Sequence, residues 1–373
     1  MYSNPTTETK MDRITSLEAI ILPQARLLRP GTGPVTLSPG NSSQEGCSHN
    51  IFIVTLADSS HIIARVAKSH NFDSLERNGV DMLNHITSLR PELKVPKVLW
   101  HNLDSKQEQT PREFTIVLQD LIPGKPLGSW NELIPQSQQM CFLDSLARFL
   151  VELWSIPTSG TIETEVPALL YSQWLENMID KAIRRCITGD SRWGTTRDYL
   201  VMRSLISYYA SPHDHITEYG IAHGDMHALN IMVDERLELS GVVDWDWTFT
   251  APLPAIVQFP WFLADVPGWH NEGTKPGETF HHSRDYLVQA LRAAEMSANK
   301  SDRLTNLLAS ARERQIFQSA INCRDVHKAF VEEDRRFRGA RGKDVRGELE
   351  AFLVIYPDLR DEDEVKLIMG SMQ

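Results

Sequence analysis

The stretch that decides the fold is His223-Gly224-Asp225-Met226-His227-Ala228-Leu229-Asn230, followed by two short apolar runs, the second of which ends in Val243-Asp244-Trp245-Asp246. The two runs predict a pair of β-strands joined by a turn. Such a hairpin places the side-chain oxygens of Asp225, Asn230 and Asp244 around one point. Carboxylate and amide oxygens are ligands that Mg²⁺ prefers, so the stretch predicts a site of chemistry.

Asp225 and Asn230 have the D-x-x-x-x-N spacing that is typical of kinase catalytic loops. In such a loop the Asp meets the hydroxyl group of the acceptor, and the Asn reaches Mg²⁺. An alternative interpretation is a turn in which Asp225 and Asn230 bind their own backbone, as these residue types often do in loops. The combination of the motif, the flanking strands and Asp244 favours the catalytic interpretation.

The composition is that of an ordinary globular protein. The length of 373 residues predicts two domains or one large unit with two lobes. Hydrophobic residues make up 41% and charged residues 23%, so the chain can bury a sizeable core. The formal net charge of −11 argues against a general binder of nucleic acids or anionic membranes. We therefore expect no nucleic-acid partner and no membrane partner.

The cysteine pattern and the hydropathy predict a cytoplasmic location. The four cysteines, at positions 47, 141, 186 and 323, form no C-x-x-C pair, which favours a reducing compartment over a zinc site or a disulfide framework. No apolar run reaches the length of a membrane span. The N-terminus lacks the basic-then-apolar pattern of a signal peptide.

Most of the first 118 residues have strand patterns. One helix is predicted from Phe72 to about Leu89. Residues 1–14 are polar and predicted to be loose, and residues 16–28 have no clean apolar period, so no element is assigned there. The predicted strands are Val35–Leu37, Asn50–Leu56, His61–Val66, Val98–Trp100 and Phe114–Leu118. Residues 15–118 thus predict a small antiparallel sheet that carries one helix.

Beyond residue 118 the pattern changes from strand to helix. Residues 119–124 break the strand pattern, and we predict a linker between two lobes at 119–127. The predicted elements that follow are helices at Met140–Trp154, Arg197–Tyr209 and Tyr286–Glu295, and one strand pair at Ile231–Val233 and Gly241–Trp245. The predicted fold class is therefore α+β, with a β-rich N-terminal lobe at 15–118 and a larger, mostly helical C-terminal lobe at 128–373.

The catalytic stretch resembles the aminoglycoside phosphotransferase and choline kinase-like family, which has the two-lobed fold of protein kinases. The resemblance rests on His223-Gly-Asp225 with Asn230, and on Val243-Asp244-Trp245-Asp246. Further segments support it: Val95-Pro96-Lys97-Val98 before the fourth strand, and residues 121–127 after the interlobe linker. Residues 247–252 and 259–263 are similar to a subgroup abundant in filamentous fungi. The resemblance covers about residues 35 to 270 and is most specific in the C-terminal core.

The resemblance implies a role for each matched residue. Asp225 is the expected catalytic base, and His223 is expected to brace the loop. Asn230 and Asp244 are the expected Mg²⁺ ligands. The backbone of the interlobe linker is expected to meet adenine, at Gln119, Asp120, Leu121 and Ile122. The implied reaction transfers the γ-phosphoryl group of ATP, or of GTP, to a hydroxyl group of a small molecule.

Two further residues of the catalytic stretch keep alternative roles. Asp246 either assists the metal or orders the loop. His227 is a solvent-facing or packing histidine, or it contacts the substrate.

The first lobe departs from the pattern of the family. Arg65 occupies the third-strand position where a lysine is expected to hold the α and β phosphates, and Lys68 is the alternative if the strand register differs. The acidic partner in the following helix is predicted to be Glu76 rather than Asp73 or Asp81, because apolar residues follow Glu76 at helical spacing. The loop between Pro39 and Asn50 contains Gly40 and Gly46 but no G-x-G-x-x-G motif; flexible backbone N–H groups there could still cover phosphates.

The sequence leaves the acceptor open. A specialised metabolite or an amine is the expected class, and aromatic residues after the metal ligand either stack on such an acceptor or pack in the helical core. These aromatics are Trp245, Trp247, Phe249, Trp261, Phe262 and Trp269. A second hypothesis is a catalytically silent member that binds a ligand or partner, which the Arg65 substitution and the glycine-poor loop suggest. A protein kinase is disfavoured, because the His-Arg-Asp, Asp-Phe-Gly and Ala-Pro-Glu signatures are missing from the sequence.

Overall fold

The structure is a computed structural model. It describes residues 7–31, 35–39, 48–103, 114–158, 169–269, 280–342 and 344–370. The predicted phosphate-loop glycines Gly40 and Gly46 lie outside the described residues. Across the described ranges, none of the helices combines the length and the apolar character that crossing a membrane requires.

Helices dominate the C-terminal part of the chain, and strands dominate the N-terminal part. The strands are β1 (Thr36–Pro39), β2 (His49–Thr55), β3 (His61–Ala67), β4 (Val98–His101), β5 (Ile116–Asp120), β6 (Lys125–Pro126), β7 (Tyr219–Ala222), β8 (Ile231–Val233), β9 (Leu239–Val242) and β10 (Phe249–Pro252). The helices are α1 (Thr7–Leu28), α2 (Asp73–Leu89), α3 (Gln136–Trp154), α4 (Tyr171–Ile187), α5 (Thr196–Ser204), α6 (Ile206–Ala210), α7 (Leu253–Ile256), α8 (His281–Ser297), α9 (Arg303–Ala309), α10 (Ala311–Asn322), α11 (Arg324–Glu333), α12 (Arg335–Ala340), α13 (Arg346–Ile355) and α14 (Asp363–Gly370). This is a two-lobed, protein-kinase-like α+β fold.

The N-terminal lobe is built on a five-stranded antiparallel sheet in the order β1-β2-β3-β5-β4. The predicted hairpin is confirmed as β2 and β3, in register from His49 opposite Ala67 to Thr55 opposite His61. The predicted helix is confirmed as α2. Alternation along β3 buries Ile62, Ala64 and Val66 in the core of this lobe, whereas Arg65 is buried on the opposite face.

The N-terminal lobe contains a helix that the sequence pattern did not predict. Residues 7–14, predicted to be loose, are the start of α1, and residues 16–28 continue it. Leu17, Ile21 and Ala25 are fully buried in the same core as the strands of the sheet. Their spacing of four is helical, but the pattern is obscured because the helix contains Pro23 and because Leu27 is exposed. Docking on the sheet, rather than a clear amphipathic pattern, explains this helix.

Strand β5 extends two residues further than predicted. Gln119 pairs with Ile63, and Asp120 pairs with Ile62, so both residues belong to the sheet and not to a break after it. The polar side chains of these two residues do not match a strand pattern, although their backbones pair with β3. The predicted helix at 197–209 is likewise divided at Leu205 into α5 and α6.

Two small antiparallel sheets in the C-terminal lobe carry the catalytic stretch. The predicted strand pair is confirmed as β8 and β9, although β9 ends at Val242 and β6 pairs with β8 on the other edge. A pair that the sequence did not predict, β7 with β10, sets Ala222 opposite Phe249. The catalytic stretch therefore runs from the end of one sheet to the start of the other.

Candidate active site

The predicted catalytic loop is the connection between β7 and β8, and hydrogen bonds within it fix its shape. Asn230 Nδ2 donates to the carbonyl oxygen of Asp225 at 2.9 Å. The Asn230 N–H donates to the His227 carbonyl at 3.1 Å, and the Asn230 carbonyl accepts from the Val243 N–H at 2.9 Å. Because its Nδ2 is used within the loop, Oδ1 is the side-chain atom with which Asn230 could bind a cation.

His223 braces the loop as a neutral imidazole. Its Nε2 lies 2.9 Å from the Val243 carbonyl oxygen and therefore donates, while its Nδ1 accepts from the Asp225 N–H at 3.3 Å. Burial lowers the pKa of His223, and this outweighs the opposing carbonyl contact and the nearby carboxylates. The ring also packs edge-on against Trp245, with centroids 4.8 Å apart. His223 thus ties the segment before Asp225 to the segment that carries Asp244.

Asp225 is held ionised. Burial opposes its negative charge, but the contact with His227, followed by those with His223 and Asn230, lowers the pKa of the carboxyl below its usual value. His227 Nε2 lies 3.5 Å from Asp225 Oδ2, and His227 Nδ1 accepts from the Leu229 N–H at 3.2 Å. An ionised carboxylate can accept a proton from a hydroxyl group. His227 thus contacts Asp225 through one ring nitrogen and the backbone of the catalytic loop through the other.

Asp244 follows β9 with a left-handed backbone, φ 65°, and its side chain is 42% exposed. This backbone turns the residue out of the β9 strand, and the exposed carboxylate has room for a ligand. Asp244, Asp246 and Glu76 all lie near Arg65. This group therefore holds three carboxyl groups and one guanidinium. This excess of negative charge lies next to the segment of Asn230, whose carbonyl accepts from the Val243 N–H, and it fits a hard divalent cation such as Mg²⁺.

Arg65 joins the two lobes at this point. Its Nη2 lies 2.7 Å and 2.8 Å from the two carboxylate oxygens of Asp246, and 3.4 Å from Asp244 Oδ1. Its Nε lies 3.6 Å from Glu76 Oε1 on α2. Lys68, the alternative to Arg65, is exposed and lies beyond the end of β3. The structure therefore brings Arg65 and Glu76 together as predicted from the sequence, and it gives Asp246 the stronger contact.

The alternative partners of Arg65 lie elsewhere. Asp73 Oδ1 accepts a hydrogen bond from the Thr115 hydroxyl at 2.6 Å, and Asp81 is exposed on α2. Asp246 was predicted either to assist the metal or to order the loop. Both of its carboxylate oxygens accept from a single nitrogen, Nη2 of Arg65, and this contact ties the segment after Asp244 to the N-terminal sheet.

Burial makes the charges around Arg65 strongly interdependent. Burial opposes the charge of Arg65, but Glu76, Asp246 and Asp244 raise the pKa of the guanidinium. Burial also opposes ionisation of Glu76, where Arg65 and His49 prevail and lower the pKa of the carboxyl. At Asp246 the balance is the reverse, because burial, with Asp244 and Glu76 nearby, raises the pKa to about 6 against the pull of Arg65.

His49 is a member of this group that sequence reasoning missed. It is buried, its Nε2 contacts Glu76 Oε2, and its Nδ1 lies 3.2 Å from Arg65 Nη2 and 3.4 Å from Asp246 Oδ2. The one sequence signal was a histidine at the start of a β-prone segment, which by itself does not indicate a contact with residues far along the chain.

Of the four linker residues expected to meet adenine, two lie in a strand and two follow it. Gln119 and Asp120 are strand residues, and the Asp120 N–H donates to the Lys97 carbonyl at 3.0 Å. Among the described residues, neither Leu121 nor Ile122 makes a backbone-to-backbone hydrogen bond. Ile122 packs against Gly241 of β9, where an added Cβ would lie 2.8 Å from its Cγ2. The groups available to a base are therefore those of Leu121 and Ile122.

The aromatic residues after Asp244 divide into core and surface. Trp245 and Phe262 are fully buried, so packing is their role. Trp247 and Phe249 are 55% and 38% exposed, beside the catalytic loop. The Phe249 ring stacks on Trp174 of α4, with centroids 6.4 Å apart and planes 17° apart. Trp174 was not predicted as part of this surface, because it lies on a helix far from the motif.

Comparison with known proteins identifies the family of the chain. The profile of the phosphotransferase enzyme family, abbreviated APH, matches residues 43–253, which is more than half of the chain. No curated protein sequence gives a significant match. The fungal subgroup suggested by the sequence stays a prediction.

Solved structures share the fold at low sequence identity. One is the streptomycin–ATP complex of APH(2'')-IIa, at 13% identity and a TM-score of 0.53, covering 94% of this chain and 97% of that chain. Another is the macrolide 2'-phosphotransferase type I, at 16% identity and a TM-score of 0.51, covering 91% and 98%. A third is ADP-bound APH(2'')-Ib, at 12% identity and a TM-score of 0.52, covering 88% and 98%. The chain belongs to the phosphotransferase enzyme family.

Proposed function

We propose that the protein is a kinase that transfers the γ-phosphoryl group of ATP to a hydroxyl group of a small molecule, with Mg²⁺ as cofactor. The observation that carries the proposal is the arrangement of the ionised Asp225 with Asn230 in one braced loop, and Asp244 in the segment hydrogen-bonded to that loop. A base and two oxygen ligands in this order are what phosphoryl transfer to a hydroxyl requires.

In this mechanism Asp225 orients the acceptor hydroxyl and takes up its proton as the oxygen attacks phosphorus. His223 keeps the loop in place through its two hydrogen bonds, and His227 keeps Asp225 charged. Asn230 and Asp244 hold Mg²⁺, which when bound neutralises charge on the phosphates. Arg65 supplies positive charge from the N-terminal lobe. Its Nη2 carries all of its hydrogen bonds to the described residues, so Nη1 is the nitrogen available to a phosphate.

The nucleotide is expected to be ATP. Among the described residues, the backbone groups of Leu121 and Ile122 make no backbone-to-backbone hydrogen bond outside the sheets, and they can supply a donor and an acceptor for the edge of adenine. Complexes of fold relatives with ATP and ADP support this assignment. GTP is included in the test below as a competing nucleotide.

The acceptor is proposed to be a specialised metabolite or an amine that carries a hydroxyl group. Trp247 and Phe249 present exposed rings near Asp225, since Phe249 pairs with Ala222 one residue before His223. Exposed rings of this kind stack on planar or alicyclic groups, and they attract ammonium groups by cation–π contact.

The test is an assay of γ-phosphoryl transfer from ATP or GTP, with and without Mg²⁺, against a panel of hydroxylated amines and apolar alcohols. Asp225→Asn is expected to lower kcat by about a hundredfold to ten-thousandfold, because the base is lost while the shape is kept. Its nucleotide affinity is expected to persist. Asp81→Asn, which removes an exposed carboxylate from α2, is the matched control and should retain full activity. Wild-type turnover by Asp225→Asn would reject the assigned base.

A catalytically silent ligand-binding role is the second candidate, because Asp246 and Asp244 both engage the guanidinium that phosphates would need. Nucleotide binding without transfer to any acceptor, and without slow hydrolysis of ATP, would favour this second role. Turnover that depends on Asp225 would exclude it.

A further inference from the structure

His49 is the first residue of β2, and its side chain lies where the N-terminal sheet, helix α2 and the segment after β9 meet. It is almost fully buried. Buried polar atoms generally need polar neighbours. A buried imidazole at a junction of three elements is therefore expected to interact with the charged groups around it.

The two nitrogens of His49 face different groups. Nε2 contacts Glu76 Oε2 without the geometry of a regular hydrogen bond. Nδ1 lies 3.2 Å from the donor Arg65 Nη2 and 3.4 Å from the acceptor Asp246 Oδ2. His49 thus touches Arg65 and both of the buried carboxylates that hold Arg65.

We propose that His49 is a positioning residue for nucleotide binding, which fixes the guanidinium of Arg65 by contacting Arg65, Glu76 and Asp246 at once. The inference rests on the proposed function, because it assigns Arg65 to the phosphates. His49 itself touches no substrate atom in this assignment, and it acts through Arg65.

The physical reason is a competition between carboxylates for one guanidinium. The Glu76 carboxylate on α2 attracts the Nε side of Arg65, and the Asp246 carboxylate in the other lobe binds Nη2. With His49 present, Glu76 contacts the imidazole through Oε2 as well as facing Arg65 through Oε1, and Arg65 Nη2 stays with Asp246. Without it, a buried carboxylate loses a partner, which is costly in a dry environment. Arg65 would then shift towards Glu76, and its Nη1 would no longer face the same point.

The test combines substitutions of His49 with Arg65→Met and measures the Kd of Mg²⁺ with a non-hydrolysable ATP analogue. His49→Ala is expected to raise Kd about tenfold in the wild-type background, which corresponds to roughly 1.4 kcal/mol. In the Arg65→Met background it is expected to change Kd less than about twofold, since interacting neighbours are not additive. A purely structural role of His49 would give the same factor in both backgrounds.

A second variant covers a failure of His49→Ala to fold. His49→Gln keeps an N–H that reaches Glu76 but has no group at the Nδ1 position, so it should fold and still raise Kd by several fold. The matched control is His61→Gln, which replaces an exposed histidine on β3 of the same sheet and should leave Kd unchanged. Melting curves of each variant report on the fold separately from binding.

Each outcome separates this inference from the proposed function. Wild-type affinity in both His49 variants, or an equal loss in both backgrounds, would overturn the inference and leave the kinase function standing. Wild-type affinity in Arg65→Met would overturn the inference together with the role of Arg65. A wild-type protein that binds no nucleotide would overturn the proposed function itself, and the inference with it.

Discussion

Gly224 lies so close to Trp247 that a Cβ atom on the glycine would stand 2.0 Å from the tryptophan carbonyl oxygen. Its φ of 78° is also left-handed, a conformation that side chains disfavour. The residue before the predicted base therefore has no space for a side chain. This contact sets the distance between the catalytic loop and the segment that follows Asp244.

Gly224→Ala is expected to lower kcat at least about a hundredfold, because a shift of about 1 Å at the base is enough for such a loss. It should also lower the melting temperature. Gly189→Ala is the matched control, since Gly189 has a φ of 77° and nothing within 4 Å of an added Cβ. In that variant the unfolding free energy should fall by roughly 1 kcal/mol, from backbone strain alone. Its activity should be unchanged. Equal losses in both variants would show that strain alone, and not the contact with Trp247, explains the requirement for glycine.

Asp244→Asn is expected to remove the Mg²⁺-dependent part of nucleotide binding. Asparagine tolerates the left-handed backbone of this position, so the variant tests the charge and not the fold. The wild-type protein should melt at a higher temperature with Mg²⁺ and ATP than with ATP and EDTA, because a ligand of the native state stabilises it. In Asp244→Asn the two melting temperatures should coincide, while Asp81→Asn should behave as the wild type. An undiminished Mg²⁺ shift in Asp244→Asn would place the metal elsewhere.

Helix α1 is expected to contribute to the stability of the N-terminal lobe. Ile21 is fully buried against the sheet, and its truncation to alanine should lower the unfolding free energy by roughly 2–5 kcal/mol. Leu27 lies on the same helix but is 73% exposed, so Leu27→Ala should stay within about 0.5 kcal/mol of the wild type. Denaturant unfolding of both variants measures the difference. Equal stability of the two would mean that α1 does not dock on the sheet in solution.

The sequence predicted the parts of the site that are close together along the chain. Asp225, Asn230 and Asp244 lie within one short stretch, so spacing and strand pattern were enough to group them. The resemblance to the family implied a basic residue on the third strand and an acidic partner in the next helix, and strand alternation and helical spacing then selected Arg65 and Glu76. Fold class and the larger elements followed from the change of hydrophobic period.

The rest of the site depends on contacts that no local pattern reveals. His49 and Asp246 meet across almost two hundred residues of sequence, and their partnership arises only from the way the two lobes pack. The stacking of Trp174 on Phe249 is of the same kind. Helix α1 and the polar end of β5 were missed because tertiary packing, and not propensity, determines them.

His213 is expected to make the stability depend on pH on the acidic side of neutrality. Burial, followed by the positive charges of Arg314 and His215, lowers its pKa from 6.5 to about 4. Between these values the unfolded chain binds a proton at this residue and the native state does not, so stability rises with pH across this range. The contribution is fully present above pH 6.5 and declines as the pH falls towards 4. The melting temperature of the wild type should therefore fall between pH 7 and pH 5, and it should fall less in His213→Asn. His61→Asn, at an exposed position of β3, should show the wild-type decrease, and an equal decrease in His213→Asn would assign the pH dependence to other groups.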